Sequence, residues 1–137
     1  MVRLNIGLIA AGSKKNLMQN FCIAYRGILS RNTIYATETT GNLIEKVTNL
    51  NIQKFAVGTF GGMRQIGAMI EQNLLDALIF LRDPMMDSSH SSNANEILNL
   101  CDTFNIPLAT NLATAELLIL AIDKGDLSWR DLYTNER

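Results

Sequence analysis

The chain has 137 residues, 47% of them hydrophobic and 18% charged, with a formal net charge of -1 at pH 7. This is the composition of an ordinary globular protein, long enough to bury a core and simplest as one domain over residues 1–137. Near-neutral charge without a basic run gives no electrostatic reason to expect nucleic acid, and no apolar stretch reaches the roughly 18 residues of a membrane span.

Met1-Val2-Arg3-Leu4 leads straight into a strand pattern with no export-signal layout, so cytoplasm is the expected location. The apolar run Leu4–Ala10 predicts a strand buried on both faces, stopping at Ala11-Gly12-Ser13. Ser13 is then expected to cap a helix from Lys14 to Ser30, with Leu17, Phe21, Ala24 and Ile28 turned inward. A second strand, Thr33–Ala36, meets Thr37, Glu38, Thr39, Thr40 and Gly41, a turn of hydroxyls and glycine that opens a helix from Asn42 to Asn49. Ile52–Val57 predicts a third strand, ending in the cluster Gly58–Gly62, and Met63–Ile70 a helix. Leu75–Leu81 is the most apolar run, hence the predicted central strand, stopped by Arg82-Asp83-Pro84. A polar loop, Met85–Ser92, carries the single histidine, His90.

The last third reads as a helix at Asn95–Phe104, a short strand at Ile106–Ala109 and a helix at Ala113–Lys124 with Gly125 as its C-cap. Asp126–Arg137 reads as a charged tail whose Trp129 and Tyr133 pack against a neighbouring helix or subunit. Cys22 and Cys101 lie in apolar helical patterns and are expected to be buried reduced thiols. One histidine and two separated cysteines argue against a structural zinc site.

The β-α unit recurs about five times, which predicts a three-layer α/β sandwich with a five-stranded, mostly parallel sheet. Ligands of such sheets sit at the carboxyl ends of the strands. Those ends gather Ala11-Gly12-Ser13, Thr37–Gly41, Gly58–Gly62, Arg82–His90 and Thr110-Asn111 on one rim. At Thr37–Gly41, unpaired N–H groups and the positive end of a helix dipole suit an anion, most often phosphate; the alternative is that Thr39 or Thr40 only caps the helix. Lys15 reads as a phosphate contact or a solvated lysine, Asp83 as a site carboxylate or an Asp-Pro turn starter, and His90 as a ligand contact or a surface histidine. Neither GxGxxG nor a Walker loop is present, which argues against a dinucleotide or ATP enzyme.

Several blocks carry a resemblance. They are Tyr35-Ala36-Thr37, then Thr39-Thr40-Gly41-Asn42-Leu43-Ile44; Gly61-Gly62 with Gln65-Ile66-Gly67-Ala68; Asp83-Pro84; and Asn105–Asn111 followed by Ala113-Thr114-Ala115. In this order, and from Asn5 to about Leu118, the chain resembles the methylglyoxal synthase family. The resemblance implies conversion of dihydroxyacetone phosphate to methylglyoxal and phosphate, without metal or cofactor, in a homo-hexamer. It implies a fold shared with the regulatory domain of carbamoyl-phosphate synthetase. It also implies phosphate contacts at Lys15, Thr37, Thr39, Thr40 and Gly58, an active-site carboxylate at Asp83, and an electrophilic histidine at His90.

The same comparison marks departures. The family's first strand ends in Ala-His-Asp, where this chain has Ala10-Ala11-Gly12. Its Gly-Gly-Asp-Gln-Gln becomes Gly61-Gly62-Met63-Arg64-Gln65, which puts Met63 in the place of the catalytic base and makes it pocket lining. Asn93 stands where an aspartate follows the histidine, Asn99 where an arginine stands, and Glu38 where the phosphate loop has glycine. A thioether accepts no proton near neutral pH, and general-base catalysis is worth about 10²–10⁴-fold. An inward Glu38 about 5 Å from a phosphate would cost roughly 3 kcal/mol at an effective dielectric near 20, which Arg64 on the rim would partly offset. The expectation is a divergent member that keeps a phosphate or phosphometabolite site and is catalytically impaired. The alternatives are an active synthase with Asp83 as base and His90 as electrophile, and a structural or regulatory subunit with an empty pocket.

Overall fold

A computed structural model describes residues 3–55, 61–85 and 91–130, with backbone alone at 61, 62 and 91–93. The strands are β1 (Asn5–Ala10), β2 (Thr33–Thr37), β3 (Ile52–Phe55), β4 (Ala77–Leu81) and β5 (Leu108–Ala109). The helices are α1 (Lys15–Ala24), α2 (Arg26–Ser30), α3 (Glu38–Thr48), α4 (Gly61–Glu71), α5 (Ser91–Phe104) and α6 (Leu112–Lys124). The strands form one sheet in the order β3-β2-β1-β4-β5, and every pairing is parallel.

Alternation along the central strands divides the core in two. Ile6, Leu8 and Ala10 of β1, with Ala77, Ile79 and Leu81 of β4, pack against α1, α2, α3 and α6 through Met18, Phe21, Leu29, Ile44 and Ile119. Ile9, Leu78 and Phe80 face the other way, onto Ile66 and Ile70 of α4 and Ile97 and Cys101 of α5. These are the two helical layers of the sandwich, and both faces of β1 and β4 are covered, which is why their sequences read as unbroken apolar runs. Both cysteines are free and buried, and burial pushes each thiol up to about 12.

Two local readings change. The expected helix from Lys14 to Ser30 is two helices, broken at Tyr25 (φ -110°, ψ 25°). There the Tyr25 hydroxyl donates to Glu116 Oε2 of α6 at 2.7 Å, a tertiary contact that local periodicity does not encode, and the ring meets Phe21 one turn earlier at 5.1 Å. The buried face accordingly falls on Met18, Phe21 and Cys22, while Leu17 and Ala24 are exposed. The expected turn Thr37–Gly41 is instead the N-cap and first turn of α3, which starts at Glu38 rather than Asn42. Finally, the charged tail opens with a 3-10 turn, Ser128–Arg130, that buries one of its charges, Arg130, beside Asp76. Tyr133 lies outside the described residues, and Trp129 is partly exposed.

Helix ends follow a common device. Asn49, Asn73 and Asn105, just beyond α3, α4 and α5, take left-handed backbone with φ near 60°, and the expected C-cap Gly125 closes α6 at φ 80°. Asparagine and glycine are the residues that adopt this conformation at least cost.

Candidate functional site

Two of the rim segments meet the end of β1, one from each neighbouring strand. Beyond Ala10 the chain keeps one more sheet-like bond, from Ala11 N–H to the Leu81 carbonyl at 3.0 Å, and then turns through a 3-10 segment, Gly12–Lys14, into α1. Ser13 therefore does not cap the helix: the N-cap position is Lys14 and no side chain caps it. The serine hydroxyl instead donates to Asp83 Oδ2 at 2.6 Å, across to the segment that follows β4.

On the β2 side, Lys15 reaches over the strand ends. Its Nζ donates to the Ala10 carbonyl at 3.5 Å and to Thr40 Oγ1 at 3.4 Å. Both contacts are long, and among the described residues no carboxylate forms an ion pair with it. Burial alone pulls the Lys15 ammonium below the ordinary lysine range, because the charged form loses water without gaining a close anion. Thr40 is 2% exposed and sits in the first turn of α3, where helix N–H groups have no intrahelical acceptor and the dipole is positive. The capping alternative fails: the N-cap is Thr37 in extended backbone, and its side chain makes no capping bond. Thr39 is exposed on the same turn. A half-buried ammonium over a helix N-terminus is an arrangement that accepts an anion.

Glu38 opens α3 and is half-buried; a carboxylate in the first turn is favoured by the same dipole that favours an anionic ligand. Gly41 is not a turn glycine. A Cβ there would lie 2.6 Å from Lys54 Cγ and 3.3 Å from Ile52 Cγ2, so its place in α3 is set by close packing on β3.

On the β4 side, Asp83 has a donor on each oxygen: Ser13 on Oδ2, and the Met85 N–H on Oδ1 at 2.9 Å. The Ser13 bond, then the Met85 bond, hold its carboxyl below the usual carboxylate range against a small desolvation penalty, with the Lys14 ammonium adding to the effect. The turn-starter reading of Asp83 thus holds for one of its oxygens. Sequence reasoning set Ser13 on the rim only as a helix cap and missed its bond to Asp83, since a partner seventy positions away left no local signal. Asn111, at the fifth strand end, is occupied as the N-cap of α6, accepting from Thr114 N–H at 3.0 Å.

Gly58 and His90 lie outside the described residues. Met63 packs against the second core layer and lines a groove of about 340 Å³ between α4 and α5, together with Arg64, Glu71, Glu96 and Leu100. The structure therefore brings together Lys15, Thr37, Thr39 and Thr40 at one side of the β1 end and Ser13 and Asp83 at the other, while Met63 and Arg64 share the α4–α5 groove. Among the described residues, no group of three or more His, Cys, Asp or Glu is placed to hold a metal ion. Nor is any helix among them long and apolar enough to cross a membrane.

Comparison with known proteins gives the same direction from three sides. The family model described as MGS-like domain matches residues 20–110. A protein named methylglyoxal synthase from Caldicellulosiruptor saccharolyticus is 55% identical over 94% of this chain and 92% of its own length. One of the same name from Thermoanaerobacterium thermosaccharolyticum is 51% identical over 96% and 98%. Among solved structures, the crystal structure of methylglyoxal synthase from Elizabethkingia anophelis superposes with a TM-score of 0.77 at 32% identity, covering 85% of this chain and 77% of that one.

Proposed function

The chain belongs to the methylglyoxal synthase family, and from that premise we propose that it binds phosphate or a small phosphorylated metabolite at the Lys15–Thr40 end of the rim while its lyase chemistry is impaired. The observation that carries the binding half is Lys15: a half-buried ammonium whose hydrogen bonds among the described residues are two long ones, set against the N-terminus of α3. A dianion there would gain a charge-assisted partner and the free end of a helix at once. Thr37, Thr39 and Gly58 complete the proposed set.

The impairment half rests on what removes a carbon-bound proton. Met63 stands at the position the family resemblance assigns to the base, and its thioether packs beside the α4–α5 groove. Asp83 is a poor replacement, since both its oxygens already accept hydrogen bonds and its carboxyl is held acidic. We assign it an orienting role, with His90 as the electrophile of any residual reaction. The homo-hexamer, the single domain over residues 1–137 and a cytoplasmic setting are part of the same proposal, supported by family membership.

A coupled assay of dihydroxyacetone phosphate turnover tests the proposal. Turnover is expected far below that of an intact synthase, and Met63→Asp is expected to raise it by about tenfold or more. Ordinary synthase turnover in the unmodified chain would refute the impairment. The 55% identity to a protein named methylglyoxal synthase favours one second reading, an active synthase with Asp83 as base. Under it, Asp83→Asn abolishes turnover; activity surviving that change excludes the mechanism. A structural subunit with an empty pocket is distinguished by thermal shift: stabilisation by phosphate rules it out.

A further inference from the structure

The order β3-β2-β1-β4-β5 sends the chain outward in two directions. From β1 it proceeds to β2 through α1 and α2 on one face, and from β4 to β5 through α5 on the other. The switch point lies between β1 and β4, and in open parallel sheets it is the crevice beyond this point that receives ligands. Among the described residues one side-chain bond crosses it, from Ser13 to Asp83 at 2.6 Å.

The fold does not need that bond to hold the strands together. β1 and β4 are paired along five registered residues and again from Ala11 N–H to the Leu81 carbonyl. Ser13 is exposed and Asp83 half-buried, a setting in which a hydrogen bond adds little to stability. Its effect is on direction: with Ser13 on one oxygen and Met85 N–H on the other, the carboxylate is locked in orientation. An ionised carboxylate has about four acceptor positions, so two remain for a ligand.

We infer that Ser13 is a positioning residue, holding Asp83 at the switch point as a fixed acceptor for a hydroxyl of the bound phosphorylated metabolite. This rests on reading the Lys15–Thr40 end as the phosphate pocket. Ser13 and Lys15 leave the same strand end two residues apart, one toward β4 and the other toward β2. A small molecule seated over β1 thus meets a cation at one end and a hydrogen-bond acceptor at the other. The ligand class that fits is a phosphorylated compound with a free hydroxyl. A phosphorylated carboxylic acid would set its own negative charge against Asp83.

Calorimetric titration of the intact chain, Ser13→Ala and Ser13→Thr with inorganic phosphate and with dihydroxyacetone phosphate tests this. Ser13→Ala is expected to weaken dihydroxyacetone phosphate about tenfold, the scale of one charge-assisted hydrogen bond, and to leave inorganic phosphate within about twofold. Ser13→Thr, which keeps the hydroxyl, is expected to restore the loss. In carboxyl ¹³C NMR of the ligand-free protein, Asp83 is expected to titrate at higher pH in Ser13→Ala than in the unmodified chain. Equal weakening of both ligands by Ser13→Ala, or no change in either, overturns the positioning role. If the unmodified chain binds neither compound, the phosphate pocket itself is refuted and this inference with it.

Discussion

Lys15 and Asp83 flank the end of β1, and their surroundings push them in opposite ways. Desolvation lowers the Lys15 pKa, while the Ser13 and Met85 hydrogen bonds lower that of Asp83 by favouring its charged form. For Lys15, the folded chain penalises the ammonium, and a bound dianion relieves that penalty. Phosphate affinity is therefore expected to fall as pH rises through the lowered lysine value, below the ordinary 10.5, and titration across pH 7–10.5 checks it. Lys15→Met keeps the stem and removes the charge; phosphate binding by calorimetry is expected to weaken by at least about tenfold. For Asp83 the sign is reversed. Its folded pKa lies below the unfolded value of about 3.8, so the stability from its two bonds is present above that pH and is lost as pH falls through the lowered value.

At the scale of elements, α3 shows where the sequence was legible and where it was not. A hydroxyl-rich run before an apolar helical period marked a helix start on the rim, and the structure has one there. Its boundary was read four residues late, because Thr, Thr and Gly are weak helix formers in isolation and tertiary packing decided the outcome. Gly41 is held in the helix by the approach of Lys54 and Ile52. Gly41→Ala would gain up to about 1 kcal/mol of helix propensity but force the Lys54 stem aside, at about 1–3 kcal/mol. We expect net destabilisation of about 1 kcal/mol in urea denaturation, with phosphate affinity reduced in the same variant. The two-sided burial of β1 and the interior place of β4 were legible from apolar density, whereas the order of the strands was not. The Tyr25 break and the Ser13–Asp83 bond were not, since each depends on a residue at least seventy positions away.

Across the whole molecule, the end of the described chain is tied to the sheet at the edge opposite the rim. Arg130 donates to the Asp76 carbonyl at 3.2 Å and approaches its Oδ1 at 3.5 Å, while Asp76 Oδ2 accepts from Asn5 N–H at 2.8 Å. Arg130 and Asp76 are both buried, so the pair joins the tail, β1 and the entry to β4 in one polar knot. Arg130→Ala removes the cation beside a buried carboxylate and is expected to cost about 3 kcal/mol in chemical denaturation, far beyond the exposed Arg31–Asp123 pair. The sequence hid this contact because a partner 54 positions away leaves no local signal at a charged residue. Distance from the rim also makes it a control: phosphate affinity measured on the folded variant is expected to stay unchanged.

The central proposal is that this molecule binds a phosphorylated compound at the Lys15–Thr40 end of the rim while its lyase chemistry is impaired. Injecting dihydroxyacetone phosphate into the unmodified protein in a calorimeter addresses both halves in one trace. The account predicts saturable binding heat, with each injection returning to baseline. A sustained shift of the baseline, reporting continuous turnover at the rate of an ordinary synthase, or the absence of any binding heat, would contradict it.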